Sequence, residues 1–173
     1  SGDASGTTNP LSITMDANKT ITATFSLVQR TLTINATNGS VNVTGASNSR
    51  SQSNSTNFYF DHGESTTMTA VPNSGYQFDG WSGDASGVAN PLSITMDADK
   101  TVTATFSKIQ RTLTINETNG TITTSPNPNN VSNNSGTYDH GTEVILTAIP
   151  DSGYQFDGWS GDARGVTNPL SIT

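Results

Sequence analysis

The eleven residues GYQFDGWSGDA occur twice in the chain, at 75–85 and, unchanged, at 153–163. Tyr76 and Phe78 alternate with polar residues, which is typical of a strand with one buried face. Gly80-Trp81 interrupts the alternation and predicts a bend or bulge there. A strand pattern that recurs in this way indicates a tandem β-repeat.

The repeat extends outward over the whole chain. Residues 82–107 match residues 1–26 at 22 of 26 positions, with an offset of 81, and residues 160–173 match residues 1–14 with two changes. We therefore divide the chain into the C-terminal part of a preceding module (1–26), a complete module (27–107), and a second module without its last strand (108–173). Both ends are then either cuts in a longer array or the true ends of a subunit.

The composition is poor in apolar and charged residues and rich in small polar ones. Hydrophobic residues make up 31% and charged residues 12%, against usual values of about 45–50% and 25%. The chain contains 29 Thr, 22 Ser and 18 Asn but no Cys, and its net charge is −7. This balance argues against nucleic-acid binding, thiolate chemistry, disulfides and a membrane-spanning helix, and it favours β-structure.

Alternating apolar positions predict about six short strands in the complete module, mostly joined by hairpins. Asn38-Gly39 predicts one hairpin turn, because both residue types accept a positive φ. Residues 45–57 and 125–137 are unrelated polar stretches and predict a variable surface loop. The expected fold class is all-β, with tandem small antiparallel β-sandwich modules.

The large apolar residues of each module are mainly aromatic, so we expect them to form the core. These residues are Tyr76, Phe78, Trp81 and Phe106 in the complete module, and Tyr154, Phe156 and Trp159 in the second. The alternative is that they form an exposed sugar-stacking face. Exposed tryptophans would favour this alternative, and buried ones would disfavour it.

The run Y-D-H-G from Tyr138, followed by V-I-L-T-A-I-P and G-Y-Q-F-D-G-W, resembles the divergent internalin B-type repeat, as does N-P-L-S-I-T-M-D-A-D-K-T-V-T-A-T-F ending at Phe106. The resemblance covers essentially the whole chain. It implies a small β module related to the β-grasp-like B repeat, a cell-surface or extracellular setting, and a spacer or adhesive role. The family has no catalytic residues, so the resemblance implies that the protein is not an enzyme.

Repeated carboxylates are the candidate metal ligands. Asp79 and Asp84 flank the Gly-Trp-Ser-Gly turn, and Asp157 and Asp162 repeat them. Oxygen-rich loops bind calcium through six to eight ligands. The alternative is that each Asp accepts hydrogen bonds from nearby backbone N–H groups in its turn. We expect no other cofactor.

Glycosylation sequons recur in register near the first predicted hairpin. They begin at Asn35 and Asn38 in the complete module and at Asn116 and Asn119 in the second. In an exported chain, an Asn in this motif is a candidate acceptor for a glycan.

The function predicted from the sequence is a non-catalytic structural segment of an extracellular stalk, adhesin or filament. The alternative is a module that binds carbohydrate or a host surface. The expected partners are neighbouring copies of the repeat, in the same chain or head to tail between subunits, and surface glycans. In the head-to-tail case the donated strand contains Thr20, Ile21, Ala23 and Phe25, and it completes the second module of another subunit.

Overall fold

The computed structural model describes residues 5–45, 48–52, 55–132 and 134–173, and it confirms an all-β fold. Within these ranges no residue is helical, and no helix suited to crossing a membrane is found. The first module contains β1 (Gln29–Ala36), β2 (Gly39–Val43), β3 (Asn48–Gln52), β4 (Ser55–Asp61), β5 (Ser65–Pro72), β6 (Tyr76–Gly83), β7 (Leu92–Thr95) and β8 (Lys100–Lys108). The second contains β9 (Gln110–Thr114), β10 (Gly120–Ser125), β11 (Asn130–Ser132), β12 (Ser135–Asp139), β13 (Val144–Pro150) and β14 (Leu170–Ile172).

The first module is a sandwich of two sheets. One has the strand order β3-β4-β1-β8-β6 and the other β2-β5-β7. Apolar side chains at alternating positions of both sheets meet between them, because successive side chains of a strand point to opposite faces. The buried core consists of Leu32, Ile34, Phe60, Met68, Ala70, Trp81, Met96, Val102, Ala104 and Phe106.

The predicted hairpin at Asn38-Gly39 is wrong. Asn38 has the expected positive φ of 66°, but β1 pairs with β4 and β8, whereas β2 pairs with β5 in the other sheet. The turn therefore carries the chain from one sheet to the other. Of the consecutive strands described in this module, only β3 and β4 pair with each other. The chain crosses between the sheets at the other connections.

The loop predicted at 45–57 is also wrong in part, because β3 and the start of β4 lie there and pair by backbone hydrogen bonds. This pair brings the first module to eight strands instead of about six. Small polar residues hid it from the hydrophobic pattern. The second module has β11 and β12 at the corresponding place.

One strand pair departs from the antiparallel expectation. β1 and β8 run parallel, with Leu32 opposite Lys100 and Ala36 opposite Ala104. A hairpin would force neighbouring strands to be antiparallel, but β8 arrives from β7 in the other sheet. No hairpin therefore fixes its direction.

The predicted bulge beside Trp81 is confirmed. The register of β6 against β8 shifts between Phe78 and Gly80. Gly80 has φ 154°, and a Cβ on it would lie 3.0 Å from the Gly87 carbonyl oxygen. Glycine is therefore required where the loop after β6 folds back over the strand.

The second module consists of two three-stranded sheets, β11-β12-β9 and β10-β13-β14. The chain ends at Thr173, before a counterpart of β8. In the first module β6 pairs only with β8, and residues 154–161, the counterpart of β6, form no strand. Leu113 is half-buried, whereas its counterpart Leu32 is 0% exposed.

Candidate functional site

The loop after β6 holds the tryptophan in place by hydrogen bonds. The Trp81 indole Nε1–H donates to the Ala89 carbonyl at 2.8 Å, and its backbone N–H donates to the Gly87 carbonyl at 2.7 Å. The ring is buried and its centroid lies 5.0 Å from that of Phe78. This tryptophan is therefore packed inside the module and does not form a platform for a ligand.

The same loop forms in the second module without the neighbouring strand. Trp159 donates from Nε1 to Thr167 at 2.8 Å and from its backbone N–H to Gly165 at 2.7 Å. Its ring is half-buried, as is that of Phe156. Tyr154 differs from the core expectation, because it is 57% exposed where Tyr76 is half-buried. Tyr76 lies on β6, opposite Lys108 of β8, and Tyr154 has no such strand beside it.

The candidate calcium ligands of the first module have partners within the protein. The Asp84 Oδ2 atom accepts from the Thr101 N–H at 2.7 Å, and its own N–H donates to the Thr101 carbonyl at 2.9 Å. The Asp79 Oδ1 atom accepts from the Ser107 hydroxyl at 2.8 Å. Both carboxylates therefore tie the end of β6 and its loop to β8.

In the second module, Asp157 accepts from the Gln155 side chain at 2.9 Å, and Asp162 is exposed. Among the described residues, no group of three or more His, Asp or Glu side chains is close enough to hold a metal ion. Calcium binding stays a prediction from the sequence.

The sequons lie at the turn between the sheets. Asn38, Asn116 and Asn119 are exposed, whereas Asn35 is half-buried in β1 between β4 and β8. Asn119 has a positive φ of 59°, as Asn38 does. The turn positions, Asn38 and Asn119, are the more accessible pair of glycan acceptors in matching positions.

An asparagine clasp that sequence reasoning missed closes the smaller sheet. The Asn90 side chain accepts from the Ala70 N–H at 2.9 Å and donates to the Ala70 carbonyl at 2.9 Å. Asn168 makes the same pair of bonds to Ala148. The clasp continues the register of β5 with β7 beyond their last backbone pair, so a side-chain amide acts as one more residue of the ladder. The repeated Asn-Pro-Leu was its only signal in the sequence.

A junction of backbone hydrogen bonds connects the modules, and Ile109 is the single residue between β8 and β9. Its N–H donates to the Gly75 carbonyl of the first module at 2.8 Å, and its carbonyl accepts from the His140 N–H of the second at 2.8 Å. The Lys108 ammonium lies 2.5 Å from the Asp139 carboxylate. Hydrogen bonds from Lys108 and Gln110 hold the pKa of Asp139 below its usual range.

Open cavities of the second module line the place that β8 takes in the first. One of about 350 Å³ lies among Gly120, Ala148, Phe156 and Trp159. Another of about 440 Å³ lies among Leu113, Tyr138, Gly141, Val144 and Ile172. Residues 20–25, the predicted donated strand, lie outside both sheets, and Ile21, Ala23 and Phe25 are exposed.

The fold and the junction define a protein built of tandem β-sandwich repeats. The chain belongs to the divergent InlB B-repeat family, whose family model matches residues 30–110 and 111–173. This match confirms the resemblance seen in the sequence. The family is a repeat domain, typically surface-associated, and not an enzyme family. Searches of curated proteins and of solved structures find no match to the chain.

Proposed function

We propose that this chain is a non-catalytic spacer segment of an extracellular surface protein, in which the modules set length and hold other parts away from the cell. The observation that carries the proposal is the junction at Ile109. A single residue joins two sandwiches, and its N–H and C=O bond to opposite modules. Flexible linkers of many residues let domains reorient, whereas this connection restricts their reorientation.

The charge and surface composition support the same role. The net charge of −7 keeps neighbouring chains apart. The exposed positions of the strands carry mainly Thr and Ser, which keep a long array hydrated. An extracellular setting adds glycans at Asn38 and Asn119, and peptide mass spectrometry of native material tests these two sites.

The sugar-binding alternative receives no comparable support. It depends on exposed, coplanar rings, and Trp81 is buried while Trp159 is half-buried. The ring planes of Phe78 and Trp81 are tilted by 60° to each other. We therefore do not propose it as the function.

The stiffness of the junction is the testable consequence. The chain has no cysteine, so Ser86→Cys and Ser152→Cys introduce one spin label in each module without further changes. We expect a narrow distribution of distances between the two labels. A control variant with Gly-Ser-Gly-Ser inserted after Ile109 should give a broad distribution. If the unmodified junction is as broad as the control, the spacer proposal fails.

A further inference from the structure

The second module has an empty strand position whose shape is known from the first. There, β8 lies between β1 and β6, and its inward side chains Val102, Ala104 and Phe106 are between 0% and 7% exposed. The corresponding edge of β9 has no strand beside it in the described part of the chain. An open sheet edge accepts an added strand through backbone hydrogen bonds.

One end of this position is a seat for an aromatic ring. In the first module the Phe106 ring lies directly over Gly39, and a Cβ on that glycine would be 2.6 Å from the ring. The counterpart of Gly39 is Gly120, which lines the cavity of about 350 Å³. The second module therefore retains the seat, and nothing described in this chain fills it.

The other end is a seat for a methionine. Met96 is 0% exposed, and its backbone bonds to Gly63 and Glu64. The counterparts of these two residues, Gly141 and Thr142, line the cavity of about 440 Å³. The empty position thus calls for a segment with a methionine at its start and a phenylalanine at its end, spaced as in residues 96–106.

Residues 15–26 have that sequence. MDANKTITATFS differs from MDADKTVTATFS at 96–107 only at Asn18 and Ile21. Met15 is 69% exposed and Phe25 94% exposed, although their counterparts are buried. Large apolar side chains exposed along one segment mark an interaction site. Lys19 and Asp16 form the same ion pair as Lys100 and Asp97, so the turn before the strand already has its docked form.

We propose that residues 15–26 of a second copy of this chain fill the empty strand position of the second module. The segment does not reach that position in its own chain. Val28 is bonded to His62 in the first module, and the three residues from Phe25 to Val28 span at most about 10 Å. At about 3.3 Å per residue, the register of β1 with β8 places Ile109 roughly 40 Å beyond Val28, and the second module begins there.

The test measures the mass of the 173-residue chain by size-exclusion chromatography with light scattering over a series of concentrations. We expect the mass to rise above 18.1 kDa as concentration increases. Phe25→Asp should return it to the monomer, because a carboxylate in the apolar seat is unpaired. The matched control is Thr24→Asp, since its counterpart Thr105 is exposed, and this variant should still associate.

A competitor peptide tests the same contact without changing the chain. The synthetic peptide of residues 15–26 should dissociate the assemblies, and the same peptide with Phe25→Asp should not. A chain that stays monomeric at every concentration overturns the proposal, as does association that survives Phe25→Asp. Phe25 is 94% exposed and lies outside both sheets, so unchanged tryptophan fluorescence in the variant shows that both modules are still folded.

Discussion

The asparagine clasp gives the sharpest test of how the smaller sheet is held together. In a strand, the N–H and C=O of one residue point to the same neighbour, so both polar groups of Ala70 depend on Asn90 for partners. Ala70 is 4% exposed. Asn90→Ala therefore leaves one buried donor and one buried acceptor unpaired, each at a cost of about 1–3 kcal/mol.

We expect Asn90→Ala to lower the free energy of unfolding of the first module by roughly 2–4 kcal/mol, since some water enters the vacated space. For a domain of this size, that loss corresponds to a fall in melting temperature of roughly 10–25 °C. Asn90→Asp should not rescue the module. It keeps an acceptor for the Ala70 N–H but places a carboxylate oxygen against the Ala70 carbonyl.

The assay is urea unfolding followed by tryptophan fluorescence. Trp81 and Trp159 are the two tryptophans, so the background substitution Trp159→Phe makes Trp81 the reporter of the first module. Asn9→Ala is the matched control, because Asn9 starts the same N-P-L-S-I-T sequence but is exposed and outside the sheets. If Asn90→Ala and Asn9→Ala unfold within about 0.5 kcal/mol of each other, the clasp does not stabilise the module.

Three further predictions concern packing, pH and calcium. Gly39→Ala should destabilise the first module by about 1–3 kcal/mol in the same assay, because the added methyl overlaps the aromatic ring above it; Ser40→Ala, at an exposed position, should have little effect. The lowered pKa of Asp139 means that its ion pair stabilises the junction above pH about 4 and loses this contribution as the pH falls through the lowered value; the label distances should broaden in acid, and Asp139→Asn should remove this dependence. Asp84→Ala should destabilise the first module equally with calcium and with a chelator, because its carboxylate bonds to the backbone of β8; a loss seen only with calcium would instead indicate a metal site.

The sequence predicts the faces of the strands better than it predicts their neighbours. Alternation of apolar residues correctly marks which side chains of β1, β5 and β8 point inward, because side-chain direction is a local property of a strand. The Asn38-Gly39 pair correctly indicates a positive φ. Neither pattern contains the destination of the chain after the turn. The positive φ is thus compatible with a hairpin and with a crossing between sheets.

The edge strands and the clasp were out of reach for a related reason. β3 pairs with β4 through backbone groups that every residue carries, so its small polar sequence looks like a loop. Asn90 acts through its side-chain amide in place of a backbone group, and an Asn before Pro is also common in ordinary turns. In both cases the bonding partner lies about 10 to 20 residues away, and local sequence does not specify it.

The boundary of a module follows from the same separation of local and distant information. Ile109 alone lies between β8, which closes the first sandwich, and β9, which opens the second. One extended stretch of chain therefore contributes to two cores. An equivalent stretch begins at residue 19 and continues into β1, but its first half meets no core in the described part of the chain. The exposed apolar side chains there and the empty position beside β9 are the two halves of one interface, so a strand donated between copies would satisfy both.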